Sequence, residues 1–288
     1  MVMARSIEAP PKRALCPARA AGETSVLLRW SELDGAELLH GDFYHHAFLP
    51  HWHDAYMLSI SAHGHQRLRL RGTEHIVSPG VLTSLHPGEL HDGEAADPAT
   101  GWHFRALYLS EELVRSSLSD DDLPETPAFE ISPRDSQPLG ETFLRLHTSL
   151  QQAESRLERD SLLVHYLPQF FQRDRSITNR SVSLSDTSGV EHVRDFLHAT
   201  WHNSVPLEDL AQIAGISRFH LLRTFRRRYG LPPHAYQMQL RVRHAKEMLF
   251  AGMPLREVAL DTGFYDQAHL TNTLRRYTGA TPGRLLLA

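Results

Sequence analysis

The sequence predicts an α+β protein of two domains: an N-terminal β-barrel carrying a helical pair, and a C-terminal all-α domain. Three observations support this fold class. Short apolar alternations with a period of two residues run from about 25 to 110, which is the spacing of half-buried strands. Apolar residues at helical spacing follow between about 138 and 173. From 207 to 283 the chain then repeats one helical pattern, shifted by 48 or 49 residues.

The N-terminal region begins with residues 1–23, which are rich in Pro, Ala and Arg and are predicted to form a flexible tail. The first domain is predicted to span 24–175. Its strand-like alternation is clearest in three segments, Tyr56–Ile60, Gln66–Leu70 and Phe104–Leu109. Pro-Gly pairs mark turns between such segments, and several short strands at regular spacing predict a small barrel or sandwich.

Two helical stretches are predicted after the strands, at about 138–155 and 158–173. The apolar residues of the first step by four and three, which is the seam of a helix that packs on another helix. Two interpretations of this seam stay open: a helical pair that lies on the barrel, or a dimer interface. The seam residues are Leu139, Phe143, Leu146, Leu150, Ala153 and Leu157.

A linker is predicted at 176–189, because seven of its fourteen residues are Ser or Thr and it ends in Gly189. The second domain then spans 190–288. It contains 13 Lys and Arg against 8 Asp and Glu, whereas the rest of the chain contains 17 against 26. A basic C-terminal third on an acidic body is typical of a separate nucleic-acid-binding module.

Composition excludes several other classes of protein. Cys16 is the single cysteine, so disulfides within the chain and cysteine metal clusters are excluded. No apolar run approaches the roughly 18 residues that a membrane span requires, and the N-terminus has no apolar stretch of signal-peptide length. We therefore expect a soluble, cytoplasmic protein without a membrane partner.

The C-terminal repeat has the form of a helix-turn-helix that occurs twice. Each copy has a short apolar-spaced helix, a Gly turn and a second helix that ends in paired arginines. Each copy closes with a Gly, at 230 and 279, and a Pro follows three residues later. Two such units predict two recognition helices and a DNA partner. The matching segments are Leu207–Ile216 with Leu255–Phe264, and Leu221–Arg227 with Leu270–Arg276.

On these motifs, residues 190–288 resemble the C-terminal domain of the AraC/XylS family of bacterial transcription regulators. The resemblance implies a long helix at about 234–250 that joins the two units. Seventeen residues at about 1.5 Å each give about 25 Å, a plausible strut for two helices that read DNA about 34 Å apart. The resemblance also implies double-stranded DNA as a partner. It places the helices of the two helix-turn-helix units at about 207–214, 217–229, 255–262 and 266–278.

The family resemblance places base contacts on the exposed face of each second helix. Arg223 is the best candidate for a guanine contact, and Asn272 suggests that adenine is read where the family often has a basic residue. The base-contact candidates are Arg218, Phe219, Leu222, Arg223, Gln267, Ala268, Thr271 and Asn272. The candidates for phosphate contacts are Arg226, Arg227, Arg275 and Arg276, each of which has a merely solvated helix face as its alternative role.

The first domain carries two histidine motifs, His51-Trp-His53 and a second that ends in His91. They resemble the motifs of cupin barrels and of the N-terminal effector domain of the AraC family. His51 and His53 point to one face of a strand, and a barrel would bring His91 near them. Three converging imidazoles could hold Zn²⁺, Fe²⁺ or Ni²⁺.

The cupin resemblance fails at the carboxylate that usually completes such a metal site. Met57 and Leu58 stand at the two positions where that residue is expected, and Glu89 and Asp54 are the substitutes that the sequence offers. Three interpretations stay open: a divalent metal, a metal-free polar effector pocket, and structural histidines. No firm cofactor is predicted. The candidate effector pocket comprises His51, His53, Tyr56, His91, Trp102 and Arg105, of which the last would clamp an anionic ligand.

These features predict a sequence-specific transcription regulator, not an enzyme, whose DNA binding is modulated by a small molecule in the barrel. The resemblance implies an activator more often than a repressor, with RNA polymerase as a partner, and leaves homodimerisation open. Two alternatives remain: a metal-dependent cupin enzyme with a DNA-binding tail, and a regulator whose barrel serves only for dimerisation.

Overall fold

The computed structural model of the protein describes residues 22–117, 136–170 and 188–287. Most of the predicted tail and linker, at 1–21 and 176–187, lies outside these residues. The N-terminal domain contains β1 (Thr24–Trp30), β2 (Ala36–Phe43), β3 (Tyr56–His63), β4 (Gln66–Leu70), β5 (Thr73–Val77), β6 (Leu82–Leu85), β7 (His91–Ala95), β8 (Trp102–Leu109), α1 (Glu111–Ser117), α2 (Ser136–Gln152) and α3 (Arg156–Phe170). The C-terminal domain contains α4 (Ser188–Ala199), α5 (Leu207–Ala214), α6 (Arg218–Tyr229), α7 (Pro233–Phe250), α8 (Leu255–Asp261), α9 (Gln267–Thr278) and β9 (Leu285–Leu287).

The strands form two sheets that face each other around an apolar core. The larger sheet has the order β6-β3-β8-β2-β1-β9 and the smaller has the order β5-β4-β7. Neighbouring strands are antiparallel except for β9, which runs parallel to β1. The three segments with period-two alternation are strands β3, β4 and β8, so the predicted barrel-like N-terminal domain is confirmed.

The central strands of the larger sheet are buried on both faces. Leu38 pairs with Leu107 on the face that the helices cover, and Leu39 pairs with Ala106 on the face inside the barrel. Both faces are therefore largely covered, although β2 and β8 still include polar residues such as Glu37, His103 and Arg105.

Helices α2 and α3 pack against each other and cover the larger sheet. Phe143, Leu146 and Leu150 of α2 are fully buried in the core that the sheet and the helices share. This confirms the interpretation of a helical pair that lies on the barrel. The seam stops sooner than predicted, because Leu157 lies beyond the end of α2 and is 76% exposed. Whether a second copy of the chain also contacts these helices stays a prediction.

The C-terminal domain has two small apolar cores, one for each helix-turn-helix unit. Leu221 and Phe225 are buried in the first, and Leu270 and Leu274 occupy the equivalent positions in the second. Helix α7 contributes to both cores and so joins the units. The described helices lie within one residue of each predicted helix of the two units and of the joining helix.

Two details differ from the sequence prediction. Gly189, predicted to end the linker, lies in α4, where an added Cβ would collide with the carbonyl oxygen of Ala214. The glycine therefore permits close packing of α4 on α5. The predicted all-α domain also ends in a strand, β9, because three consecutive leucines extend the edge of the barrel sheet, with Leu285 beside Leu27.

Candidate functional site

The N-terminal halves of α6 and α9 form the most exposed part of the C-terminal domain. Each helix begins at a side chain that caps it: the Ser217 hydroxyl accepts from the N–H of His220 at 3.3 Å, and the Asp266 carboxylate accepts from the N–H of His269 at 2.7 Å. Capping ends the preceding turn at a defined residue and aims the first helical turn outward. This is the geometry by which a recognition helix presents its first residues to the major groove.

The predicted base-contact residues lie on this outward face, opposite the buried residues of each core. In the first unit Phe219 is 75% exposed and Leu222 is half-buried. In the second unit Thr271 is half-buried. Arg218 is also paired with Glu208 of α5, which holds its guanidinium at the edge of the face. The remaining exposed members of the set are Arg223, Gln267, Ala268 and Asn272.

Tyr265 was not among the predicted contacts and is 88% exposed just before α9. It is the one inserted residue that changes the repeat shift from 48 to 49. The break in the repeat was thus a sequence signal for an additional side chain on the outward face of the second unit. An aromatic ring here can make apolar contact with a thymine methyl group.

The arginines predicted to hold phosphates differ in their surroundings. Arg226, Arg227 and Arg276 are exposed. Arg275 instead donates to Glu23 of the N-terminal domain at 2.7 Å. In this arrangement its guanidinium also contacts the barrel, while its side chain stays 46% exposed, so its role as a phosphate contact stays a prediction.

Backbone hydrogen bonds keep the carboxylate of Glu23 ionised, so that it can pair with the guanidinium of Arg275. Its other carboxylate oxygen accepts from the backbone N–H groups of Tyr44, His45 and His46 at 3.2, 2.7 and 2.5 Å. Burial alone would raise the pKa of Glu23, but these three donors outweigh it and lower the pKa, which keeps the carboxylate charged.

Helix α7 lies against the barrel through one charged face. Arg243 pairs with Asp54, Lys246 donates to Glu37 at 2.9 Å, and Glu247 accepts from Arg29 at 2.6 Å. The three α7 residues are spaced by three and four along the helix, so they share a face. These ion pairs connect the helix between the two units directly to strands and loops of the barrel.

A cavity of about 260 Å³ lies between this face of α7 and the barrel. Its walls combine apolar side chains such as Leu27, Leu240 and Val242 with charged, hydrogen-bonding and aromatic groups, the usual chemistry of a small-molecule site. The barrel contributes Arg29, Glu37, His51, His53, Asp54 and Tyr108, and the C-terminal domain contributes Gln239, Arg243, Lys246, Glu247 and Tyr277.

The structure brings His51, His53 and His91 together, as the barrel prediction required. One ring nitrogen of each lies within 4.8 Å of the other two. The backbones of His51 and His91 also pair, with both N–H to O distances at 2.9 Å. Burial lowers the pKa of all three, to about 4 for His91, so the imidazoles are neutral at pH 7.

Three other members of the predicted effector pocket do not line this cavity. Trp102 is buried in the barrel core, 4.4 Å from Phe104 between ring centroids. Tyr56 lies in the core under the helices. Arg105 donates to the carbonyl of Phe104 at 3.1 Å. These three side chains therefore do not line the cavity that the structure forms, and their part in effector binding stays a prediction.

Tyr108 lines the cavity and was missed. It is an odd number of residues from Arg105 on the same strand, so the two side chains leave opposite faces of the sheet. Its ring centroid is 4.7 Å from that of His53. Burial, with the nearby carboxylate of Glu37, raises the pKa of the Tyr108 phenol, which therefore stays protonated as a hydrogen-bond donor.

Neither carboxylate that the sequence offered as a fourth metal ligand is available to the histidines. Glu89 is paired with Arg71 and accepts from the N–H of His86 at 2.9 Å. Asp54 is paired with Arg243. The cluster is therefore a set of three neutral imidazoles beside a polar cavity.

None of the helices that the structure describes combines the length and the apolar character required to cross a bilayer. Structural neighbours that cover both domains include crystal structures of ToxT from Vibrio cholerae. Against ToxT of strain O395 the TM-score is 0.51 at 10% identity, with 90% of this chain and 95% of ToxT covered. For an apo form of a ToxT point variant from strain SCE256 the TM-score is 0.52, also at 10% identity, with 91% and 94% covered. At this identity the likeness shows the fold alone.

Sequence comparisons agree with the fold. The family model of the AraC-like ligand binding domain matches residues 35–167, and that of a helix-turn-helix domain matches 210–287. The HTH-type transcriptional regulator YbfI of Bacillus subtilis (strain 168) is 27% identical over 224 residues, which are 77% of this chain and 81% of YbfI. A regulator of Staphylococcus aureus (strain COL) is 26% identical over 121 residues, which are 42% of this chain and 15% of the relative. With both family domains matched in order on this fold, the chain belongs to the AraC family of transcription regulators.

Proposed function

We propose that this regulator reads DNA with the N-terminal halves of α6 and α9, and that a small polar effector in the interdomain cavity sets how the domains pack. One observation supports this most strongly. Helix α7 forms a wall of the cavity and is also the helix that joins the two helix-turn-helix units. An effector that contacts α7 therefore acts on the element that holds the two recognition helices at their spacing.

The coupling follows from the contacts that an effector would meet. Arg243, Lys246 and Glu247 line the cavity, and each forms an ion pair with a barrel residue. A ligand that exchanges hydrogen bonds with these groups binds one packing of α7 on the barrel more tightly than another. DNA affinity then changes by at most this differential free energy, which is the linkage that defines an allosteric effector.

The cavity also limits the chemistry of the effector. Its volume of about 260 Å³ is near the lower end of the roughly 300–1,000 Å³ of ligand pockets, which favours a metabolite of modest size. Its lining carries both signs of charge, together with the neutral rings of His51 and His53 and the phenol of Tyr108. Leu240 and Val242 add apolar surface, so the lining suits a small molecule that combines several donors and acceptors with a short apolar body.

The remaining partners are part of the same proposal. An activator of this family would contact RNA polymerase while bound to DNA. A homodimer would place two pairs of reading heads on one operator. Catalysis has no part in the proposed mechanism, because binding alone supplies the differential free energy that regulation requires.

A DNase footprint on the DNA that flanks the regulator's own gene tests the DNA part of the proposal. We expect protection of two adjacent major-groove segments about 10 base pairs apart. Protection of a single segment would mean that only one unit reads bases. Uniform weak protection at every sequence would contradict sequence-specific reading.

The effector part is tested by thermal unfolding of the full chain against a library of small polar metabolites. A true effector at 100 times its Kd stabilises by about 2.7 kcal/mol. The stabilisation should shrink in Gln239→Leu, inside the cavity, and persist in His63→Gln, on the exposed end of β3. A hit that is indifferent to Gln239→Leu would bind outside this cavity and contradict the proposed site, and the absence of any hit would favour a barrel that serves only for dimerisation.

A further inference from the structure

We propose that His51, His53 and His91 form a binding site for one divalent transition-metal cation, such as Zn²⁺, Co²⁺ or Ni²⁺, beside the interdomain cavity. The inference goes beyond the proposed function, because it concerns a ligand of the barrel that neither DNA reading nor an organic effector requires.

Two of the rings are held in the tautomer that binds metal. The Nδ1 atom of His51 lies 2.7 Å from the carbonyl oxygen of Leu49, and that of His91 lies 2.9 Å from the carbonyl oxygen of Glu89. A carbonyl only accepts, so each Nδ1 carries the ring proton and donates. The lone pair of each ring is then on Nε2, the arrangement in which backbone carbonyls orient metal-binding histidines.

The third ring supplies an unsatisfied atom. The Nε2 atom of His53 is buried and has no hydrogen-bond partner among the described residues. Buried polar atoms without a partner are rare, and each requires an explanation, one of which is a bound ion. A cation shared with His51 and His91 satisfies this atom.

The cluster is rigid enough to act as a preformed site. Ring centroids are 4.4 Å apart for His51 and His91, 4.7 Å for His51 and His53, and 5.1 Å for His53 and His91. Phe48 stacks on His51 at 6.0 Å, and Tyr108 contacts His53. The nitrogens lie within 4.8 Å of one another, and the widest pair would close by about 1.4 Å, through rotation of the rings, to the roughly 3.4 Å that tetrahedral bonds of about 2.1 Å require.

The donor set selects the class of cation. Three neutral imidazoles suit Zn²⁺, Co²⁺ and Ni²⁺, whereas Mg²⁺ and Ca²⁺ require oxygen ligands. Because Glu89 and Asp54 are held by arginines, the described side chains supply three nitrogens and no carboxylate. His51 and His53 line the cavity, so a fourth coordination position on the cation would face the cavity. Catalytic zinc sites with three protein ligands also keep one position open.

The test is a Co²⁺ titration of the full chain without a histidine tag, followed by visible absorption and by competition with Zn²⁺. We expect about one equivalent per chain. His53→Gln should weaken binding about 100-fold. The matched control is His46→Gln, because His46 is also a buried histidine of the barrel with an unpartnered Nε2, but lies outside the cluster.

A second variant guards against simple misfolding of His53→Gln. His53→Cys should retain Co²⁺ and add a sulfur-to-cobalt charge-transfer band in the near ultraviolet, which a structural role would not produce. Less than a tenth of an equivalent bound by the unsubstituted chain, equal loss in His46→Gln, or a cysteine variant without that band would each overturn the proposal. None of these outcomes bears on the footprint, which tests DNA reading separately.

Discussion

Arg223 and Asn272 occupy equivalent positions in α6 and α9, and both side chains are exposed. A guanidinium matches the two acceptors of guanine, whereas an amide matches the acceptor and donor of adenine. The two units therefore present different chemistry to DNA although they share one fold. We expect an operator whose two half-sites differ in sequence, which agrees with the different lengths of the two turns around Tyr265.

The first prediction concerns Arg223. Arg223→Ala should cost about 1–3 kcal/mol at the specific site and relax the preference at one base position, because a bidentate contact to guanine is lost. Binding to a panel of operators with single base changes measures both effects. Arg115→Ala, on exposed α1 of the barrel, is the control. Equal weakening on every operator would show that Arg223 holds a phosphate instead.

The second prediction concerns the pair of Arg275 and Glu23. Glu23→Gln removes the charge that holds Arg275, so affinity for all DNA sequences should rise and log K should depend more steeply on log salt, by about 0.9. Arg275→Ala should weaken binding to all DNA sequences and make log K depend less steeply on log salt. If both variants changed thermal stability and left the salt slope unaltered, Arg275 would serve only to hold the domains together.

Strand β8 shows at the scale of an element how alternation divides roles. Trp102, Phe104 and Ala106 point into the barrel, and Tyr108 continues that face to the cavity. Arg105 leaves the opposite face. The sequence contains this alternation, but the strands packed above each face decide which face meets a cavity.

Helix α7 shows how a single face can join two domains. Of its three ion pairs with the barrel, the pair of Lys246 and Glu37 is the most buried, with side chains 19% and 10% exposed. Exposed pairs contribute little to stability, whereas removal of one partner from a buried pair leaves the other charge desolvated. Among the three ion pairs, removal of one partner should therefore destabilise the protein most at Lys246 and Glu37.

The third prediction follows from that burial. Lys246→Met should lower the free energy of unfolding by about 3 kcal/mol, because Glu37 stays buried without a partner. The double variant with Glu37→Gln should recover most of the loss. Urea unfolding measures both, with Arg115→Met, from an exposed pair with Glu111, as the control. Additive losses in the double variant would mean that the two side chains do not interact.

The domains form one body through contacts at several levels of structure. Strand β9 extends the barrel sheet, and Gly279 at the end of α9 lies against Phe43 and Phe48, where an added Cβ would meet both rings at 2.8 to 2.9 Å. The Ser25 hydroxyl donates to the carbonyl of Gly279 at 2.7 Å. The barrel therefore contacts α9 as well as α7.

The fourth prediction is a loss of stability in mild acid. Burial lowers the pKa of His147 to about 3 and that of His46 to about 4, whereas both titrate near 6.5 in the unfolded chain. Below about pH 6.5 the unfolded state therefore binds more protons than the native state. The free energy of unfolding should be flat above pH 7 and fall by about 1.4 kcal/mol per pH unit for each such histidine between pH 6.5 and 5.

Urea unfolding at pH 7.5, 6.0 and 5.0 checks this dependence. His147→Gln should remove the contribution of one histidine from the slope, and His165→Gln, on the exposed side of α3, should leave the slope unchanged. A slope that is the same in all three proteins would show that His147 is not the neutral, buried group that its position beneath β2 indicates.

The sequence by itself determined the local structure and the family. Period-two alternation, helical spacing and a repeat at 48 or 49 residues depend on neighbours in the chain, so strands β3, β4 and β8, the helical pair α2 and α3, and the helices of both units could be predicted within a few residues. The convergence of His51, His53 and His91 followed from the cupin-like motifs. Base-contact assignments rest on the same local geometry and stay predictions.

The tertiary structure alone decided which side chains meet across the domains. Tyr108 faces the cavity and Arg105 does not, Glu23 holds Arg275, and β9 joins the barrel. Each of these contacts joins residues of distant elements or depends on what covers a sheet face. Such contacts depend on how whole faces pack, which short-range periodicity does not encode, and here they place α7 between the cavity and the two recognition helices.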